Sequence, residues 1–415
     1  MSPTPRAAAL IALAALAGLV VPPVLSGVAV VSLVAVAALD AWRVRAAPPL
    51  ERELPHALAR GVTAPFAVEG REGAAELRIR QPNVPALAFE PPAGGRAVRG
   101  TVLPKLRGRH AVPAPASVTT GPLGLGRWFH SGAGTQEVLV YPDLPNARRI
   151  VHRLREGRFR EPGYLARGPL GLGTEFESVR DYLPDDDFRQ VNWRATARVG
   201  RPMTNTYRVE QDRDVLCVVD AGRLMGGPLG PQKTRLDVAL DATVAVALVA
   251  DEVGDRCGAL AFDARIVRDL RPRRAGSKRV VEALFDLEAT ETDSDYELAF
   301  RTVGGGKRSL VLMFTDLIDE PAARSLIAAT PVLARRHFLV IASATDPDLE
   351  ELANARPADA VEAARRRVAQ EVLDARAGVA ARLRRAGAAV VDVPPERLPA
   401  ACVAEYLRAK ARARL

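Results

Sequence analysis

Two aspartates close apolar runs of this chain, and acids placed that way can hold a metal. Val215–Val219 runs straight into Asp220 in VVDAGRLM, and Leu310–Phe314 runs into Thr315 and Asp316 in LMFTDL. If both runs are parallel strands, their carboxylates meet at the carboxyl ends of one sheet, where open α/β sheets place their sites. A hydroxyl oxygen from Thr292 or Ser294, in the loop ETDSDYE, would complete a set for one hard divalent cation, Mg2+ or Mn2+. Cys217 lies close to Asp220 but inside the apolar run, where a thiol is buried and inert. No histidine adjoins either aspartate, so a nucleophile with its general base is missing from this neighbourhood.

The elements that must position these acids follow from periodicity. From Val215 onward, apolar runs at 215–219, 258–262, 310–314, 338–342 and 388–391 alternate with helical stretches. Fully apolar strands alternating with helices predict a doubly wound, mostly parallel sheet covered on both faces. The clearest helix spans Leu236 to Asp251. Leu236, Leu240, Val244, Ala247 and Leu248 form its apolar stripe, and Thr234 with Asp237 forms a capping box. Between 48 and about 150 the texture changes to Pro, Gly and short alternation, as in Val62, Ala64, Phe66 and Val68, or Leu77 and Ile79. Period-2 alternation predicts strands with one buried face, and several of them in so short a stretch predict a small β-sandwich.

Other chemistries drop out on spacing. Gly304–Ser309 reads GGGKRS, but Arg301 stands where a phosphate loop needs its first glycine, and Arg308 replaces the Ser/Thr. GPLGLG occurs at 121–126 and 168–173 and reads as turns. GxSxG, HExxH and CxxC are absent. Three scattered cysteines fit a reducing compartment. The net charge is +9, and only five of the 58 basic residues are lysine. The arginines are spread through the chain with few aromatics among them, which reads as compositional bias rather than a nucleic-acid surface. The basic stretch 358–385, with Arg365, Arg366 and Arg367, predicts a long helix with a solvated basic face.

Residues 7–39 carry no charge and are broken by Pro22-Pro23. Two apolar stretches of about 22–24 Å result. They predict a two-helix membrane hairpin over residues 1–45, with the prolines at its tip. Arg6, Arg43, Arg45 and Arg52 flank it, and Trp42 sits where an interfacial aromatic would. The positive-inside rule puts both ends in the cytoplasm, on the inner membrane. The rival is a cleaved signal peptide, but the second apolar run at once after the first speaks for the hairpin.

With those acids in place, the region 213–415 resembles the von Willebrand factor A domain. That family binds a cation through Asp-x-Ser-x-Ser after its first strand, a later Thr and a further Asp. Asp220 and Asp316 match the two acids, and Thr292 matches the Thr by position. Gly222 and Leu224 stand where the two serines belong, which removes two hydroxyl ligands. The segment 173–203 reads GTEFESVRDYLPDDDFRQVNWRATARVGRPM. It is similar to the signature of the domain of unknown function 58 family, matching at Arg180, Asp181, Tyr182, Asp186, Arg189, Asn192, Trp193, Ala197 and Arg198. The family's order is a membrane hairpin, a β-sandwich-like region, this arm (here 165–212) and a von Willebrand A-like domain.

Two readings of the arm compete. In one, Arg180, Asp181, Asp186 and Arg189 form an ion-pair lattice, with Trp193 as a packing anchor against the sheet. In the other, these residues with Tyr182, Asn192 and Arg198 form a partner-binding surface, since Arg and aromatic side chains dominate hot spots. The resemblance implies a membrane-anchored, non-enzymatic scaffold or adaptor working with a MoxR-type AAA+ ATPase. The alternatives are a metal-dependent hydrolase at the membrane and a purely structural protein of the cell envelope.

Overall fold

The computed structural model describes residues 1–71, 76–161, 164–165, 175–183, 186, 188–208, 212–230, 233–317 and 320–411. The second GPLGLG copy and the start of the arm lie outside them. The chain divides into two compact units, Met1–Tyr141 and Pro142–Leu415.

The first unit begins with helix α1 (Pro5–Ala17) and helix α2 (Pro23–Arg43). Pro22 caps α2 and Pro23 opens it, where a missing N–H costs nothing. α2 continues a full turn past its apolar run, so at 1.5 Å per residue it reaches about 32 Å. It is long and apolar enough to cross a membrane, with a mean hydropathy of 2.2. α1 has 13 residues, about 20 Å, so the two apolar stretches are not the equal partners that the sequence suggested.

Three sheets follow around one core. The four-stranded sheet runs in the order 50–53, 64–70, 97–104, 87–90, and the five-stranded sheet in the order 2–3, 126–130, 116–120, 76–80, 93–94. A three-stranded sheet contains 57–59, 135–141 and 108–113. Alternation does the work expected of it: Phe66, Val68, Leu77, Ile79, Val98, Val102, Val112 and Val138 enter a shared core.

A loop clamps this unit to α2. Asp40, in the last turns of α2, accepts backbone N–H bonds from Leu123, Leu125 and Gly126 at 2.9–3.0 Å. Thr4 caps α1 with its hydroxyl oxygen and donates to Gly124 O at 2.7 Å. The first GPLGLG copy is therefore more than a turn. A Cβ at Gly121 would overlap Asp40, and one at Gly126 would overlap the α2 backbone.

The second unit opens earlier than position 150 implied. Helix α3 (Leu144–Arg155) belongs to it because it packs on helix α5 (Arg235–Glu252). Asp143 N donates to Asp241 Oδ1 at 3.0 Å, and Arg155 Nε to Glu252 Oε1 at 2.6 Å. The central sheet comprises β1 (Asp214–Asp220), β2 (Arg256–Phe262), β3 (Ile266–Arg273), β4 (Leu310–Phe314), β5 (Phe338–Ala344) and β6 (Ala389–Val393). Their order is 3-2-1-4-5-6, parallel throughout except for the antiparallel edge strand β3.

β1 buries both faces, as its unbroken apolar run requires. Val218, Leu260, Val311, Met313, Leu339 and Ile341 face α7 (Tyr296–Gly304), α8 (Glu320–Ala334) and α10 (Ala360–Arg385). α5, α6 (Ser277–Leu284) and α11 (Leu398–Ala411) pack on strands of the sheet from the opposite side. Each large aliphatic side chain buried in this way contributes about 1.5–3 kcal/mol. The capping box at α5 is complete: Thr234 accepts from Asp237 N, and Asp237 accepts from Thr234 N at 2.9 Å. α11 is fastened by charge. Asp255, 1% exposed just before β2, accepts from Lys410 Nζ at 2.6 Å and from the Tyr406 hydroxyl.

Candidate functional site

Asp220 ends β1 and Asp316 follows β4, its neighbour in the sheet, so both acids stand at carboxyl ends of parallel strands. Asp220 is 1% exposed and enclosed by donors. Its Oδ1 accepts from Gly222 N at 2.8 Å and from the Ser294 hydroxyl. Its Oδ2 accepts from Tyr296 at 2.8 Å and Thr315 at 2.7 Å. Four donors fill the roughly four lone-pair positions of a carboxylate. Burial raises the Asp220 pKa, and the hydrogen bonds from Ser294, Gly222, Thr315 and Tyr296 work against that rise. Burial and the nearby Asp220 charge push the Tyr296 phenol up, so it stays a donor.

Gly222 explains how this cage closes. A Cβ at 222 would overlap Ser294 Oγ and would lie 3.2 Å from Asp220 Oδ1. The hydroxyl that a serine at 222 would bring is thus supplied from the opposite loop by Ser294. Thr292 itself does not reach Asp220 through its side chain. Its hydroxyl is 2.9 Å from that of Thr290, and its carbonyl accepts from Arg223 N.

Asp316 is 4% exposed and held by cations from two helices. Arg235 Nε, from the start of α5, donates to Oδ2 at 2.6 Å. Arg376, from the middle of α10, donates to Oδ1 at 2.5 Å and also reaches Asp392, Ser343 and the Ala344 carbonyl. Burial lowers the Arg376 pKa, but Asp316 and Asp392 outweigh it and hold the guanidinium well charged. Sequence reasoning placed α10's arginines on a solvated face, and Arg376 is 2% exposed. The signal was present: Arg376 is seven residues after Ala369 and three before Val379, on the stripe that α10 buries.

This donor set does not fit a resident divalent cation. Asp220 has no acceptor position left, and Asp316 already faces two guanidinium charges. A metal would have to displace donors whose loss leaves buried polar groups unpaired, at about 1–3 kcal/mol each. Among the described residues no three His, Cys, Asp or Glu side chains converge as a metal set.

The arm is built differently. Its described part is a two-stranded hairpin, 175–181 with 203–208, bridged by a short turn at 188–190 and helix α4 (Trp193–Val199). Arg180 grips Asp186 through both terminal nitrogens, at 2.6 and 2.8 Å. The Arg180 guanidinium holds the Asp186 carboxyl below its usual range, helped by the Leu183 amide. Tyr182 donates to the Asp186 carbonyl at 3.1 Å, and Asp181 pairs with Arg201 at 3.1 Å. Asn192 caps α4 and donates to Asn205 Oδ1 at 2.8 Å. Two ion pairs thus form in the described arm, Arg180–Asp186 and Asp181–Arg201, the second with a partner that sequence reasoning missed. The Arg189 side chain lies outside the described residues.

Trp193 corrects one reading. It is 63% exposed and is not an anchor against the sheet. Its indole meets the ring of Phe188, itself 68% exposed, edge to face at 6.0 Å. Leu183 and Val199 are also exposed, as are Arg194 and Arg198, which have no ion-pair partner among the described residues. No side chain of α4 is buried. Arg180, Asp181, Tyr182, Asp186 and Asn192 spend their polar contacts inside the arm, while Phe188 and Trp193 face water.

A comparison with curated proteins found no match. The family described as "Protein of unknown function DUF58" matches residues 178–389, which run from the arm through β1, β4 and α10 to the start of β6. The match covers half of the chain and includes the arm's ion pairs, the Asp220 cage and the Asp316 clamp, so the chain belongs to the DUF58 family.

Proposed function

We propose that this chain is a membrane-anchored, non-enzymatic scaffold whose arm binds a protein partner. The observation that carries the reading is the exposed Phe188–Trp193 pair, with the exposed Arg194 and Arg198 on the same helix as Trp193, on a frame tied by the Arg180–Asp186 pair. Exposed large apolar side chains cost solubility without a partner, and aromatic and arginine side chains dominate binding hot spots. The partner proposed from the family resemblance is a MoxR-type AAA+ ATPase, with the scaffold coupling its work to a target at the membrane.

The strand order 3-2-1-4-5-6 with an antiparallel edge supports a von Willebrand A-like fold for the second unit. The length and hydropathy of α2 support anchoring, and α1 packed on it supports a two-helix hairpin. Positive flanks at Arg6, Arg43 and Arg45 favour an inner-membrane protein with both soluble units in the cytoplasm. Saturated acids at Asp220 and Asp316 weigh against both the cation and a metal-dependent hydrolase. Recognition then rests on the arm.

The test is a crosslinking pull-down from solubilised membranes with wild type, Trp193→Ala and Asp220→Asn. Capture of an AAA+ ATPase by wild type and Asp220→Asn, with loss in Trp193→Ala, is the expected result. Loss only in Asp220→Asn would return the metal site to the centre of the mechanism. No captured ATPase from any variant would sink the adaptor reading.

A further inference from the structure

One surface of the first unit has no part in the proposal above. In the five-stranded sheet, Val118 pairs with Arg78 on one side and Phe129 on the other, so these three side chains share a face. Alternation sends their neighbours Leu77, Ile79, Ser117 and His130 to the buried face. Arg80 and Arg127 lie on the outer face with Val118, and a groove of about 590 Å3 runs along it between Arg78, Arg80 and Phe129. Phe129 is 53% exposed, with the Arg127 guanidinium 5.7 Å from its ring centre. Neither Arg78 nor Arg80 has an ion-pair partner among the described residues.

The position of this face is fixed relative to α2. The strand 126–130 pairs at one edge with Ser2–Pro3, immediately before α1. Its first residue, Gly126, is bonded to Asp40 in α2, and Arg127 Nε donates to Ser2 Oγ at 2.9 Å. At about 3.4 Å per residue, Phe129 is roughly 10 Å along the strand from the Asp40 clamp. That clamp is within one turn of Trp42 and Arg43, where α2 ends. Arg127 and Phe129 thus stand within about one Debye length of the level at which α2 leaves its apolar stretch.

We propose that the outer face of this sheet docks on the anionic lipid headgroups around α2. Arg78, Arg80 and Arg127 meet the phosphates, and Phe129 enters the boundary between headgroups and acyl chains. The charge is complementary, and α2, packed on the other face of the strand at Gly126, tethers the sheet at the bilayer surface, so weak contacts suffice. The proposal rests on α2 spanning the bilayer, and the experiment separates the two.

The full chain is placed in lipid nanodiscs with a fluorophore at Ser131→Cys, on the rim of the groove; the native cysteines are buried and stay unlabelled. A second preparation carries the label at Val31→Cys in α2. In discs containing phosphatidylglycerol and headgroup spin-labelled lipid, strong quenching at position 131 is expected. Quenching should fall in pure phosphatidylcholine discs and in R78Q/R80Q, whose docked-to-free ratio should drop roughly thirty-fold. The melting temperature of R78Q/R80Q should match wild type, since both arginines are exposed. An unquenched label at 131, with acyl-chain spin labels quenching position 31, overturns the docking proposal alone. Equal quenching in neutral discs also overturns it. An unquenched position 31 removes the membrane span, and the docking proposal with it.

Discussion

Asp316 sits 4% exposed between two guanidinium groups, while Trp193, in the arm, leaves 63% of its surface in water. The strand-end region resembles a cation site in its acids and has closed around them with internal donors. The arm reads in sequence as a lattice of charges; its described part holds two ion pairs and leaves Phe188 and Trp193 in water. A carboxylate marks a binding site only while it has lone pairs to offer. An exposed aromatic pair on a rigid frame is open for binding as it stands.

The largest way to break this contrast is Arg376→Ala. It leaves Asp316 and Asp392 short of a buried counter-charge and should destabilise the second unit by about 3–5 kcal/mol in chemical denaturation. A loss below about 1 kcal/mol would mean that the clamp is weaker than its burial implies. Next comes Gly222→Ser, which restores the serine of the cation motif. Its Cβ meets Ser294 Oγ and should cost about 1–3 kcal/mol. Adding Ser294→Ala should recover much of that loss, a non-additivity that a double-mutant cycle would read.

Trp193→Ala sharpens the contrast from the other side. Its stability should stay within about 0.5 kcal/mol of wild type, as at other exposed positions. Unfolding by more than that would make the tryptophan an anchor after all. Smaller still is the pH response of the arm. The folded-state pKa of Asp186 is lowered, so its contribution is present above the ordinary value near pH 4 and fades as pH falls through the lowered one. Hydrogen exchange of the Leu183 amide, corrected for intrinsic rate, should show protection lost over that window, and Asp186→Asn should lack the transition. The smallest expected effect is that of Mg2+ or EDTA on the melting temperature, which should be nil. A cation bound at a hundred times its Kd would add about 2.7 kcal/mol, and such a shift would restore the metal reading.

Much of the frame was legible because it is local. Unbroken apolar runs marked the parallel strands, and the Thr234 box marked the start of α5. β3 escaped because an edge strand with one exposed face carries Arg268, Arg271 and Arg273 rather than an apolar run. The site was legible in its two acids and in Ser294, which was named with Thr292 as the hydroxyl to meet them. Tyr296 and Thr315 reach Asp220 across 76 and 95 residues, and Arg376 reaches Asp316 across 60, so pairing in space set their roles. The arm's motif was visible, yet burial, which decides between anchor and surface, leaves no mark on a single tryptophan.

The Asp255–Lys410 pair has a consequence for synthesis. The acid is fully enclosed, and its counter-charge is made 155 residues later. At the usual rates of translation that interval lasts roughly 8–30 s. During it Asp255 lacks both its ammonium and the Tyr406 hydroxyl, and α5 lacks the helix α11 that packs on it, so the second unit cannot close. The ribosome would thus deliver the first unit whole before the second can close, and a stall before Lys410 would leave an open sheet for chaperones to hold.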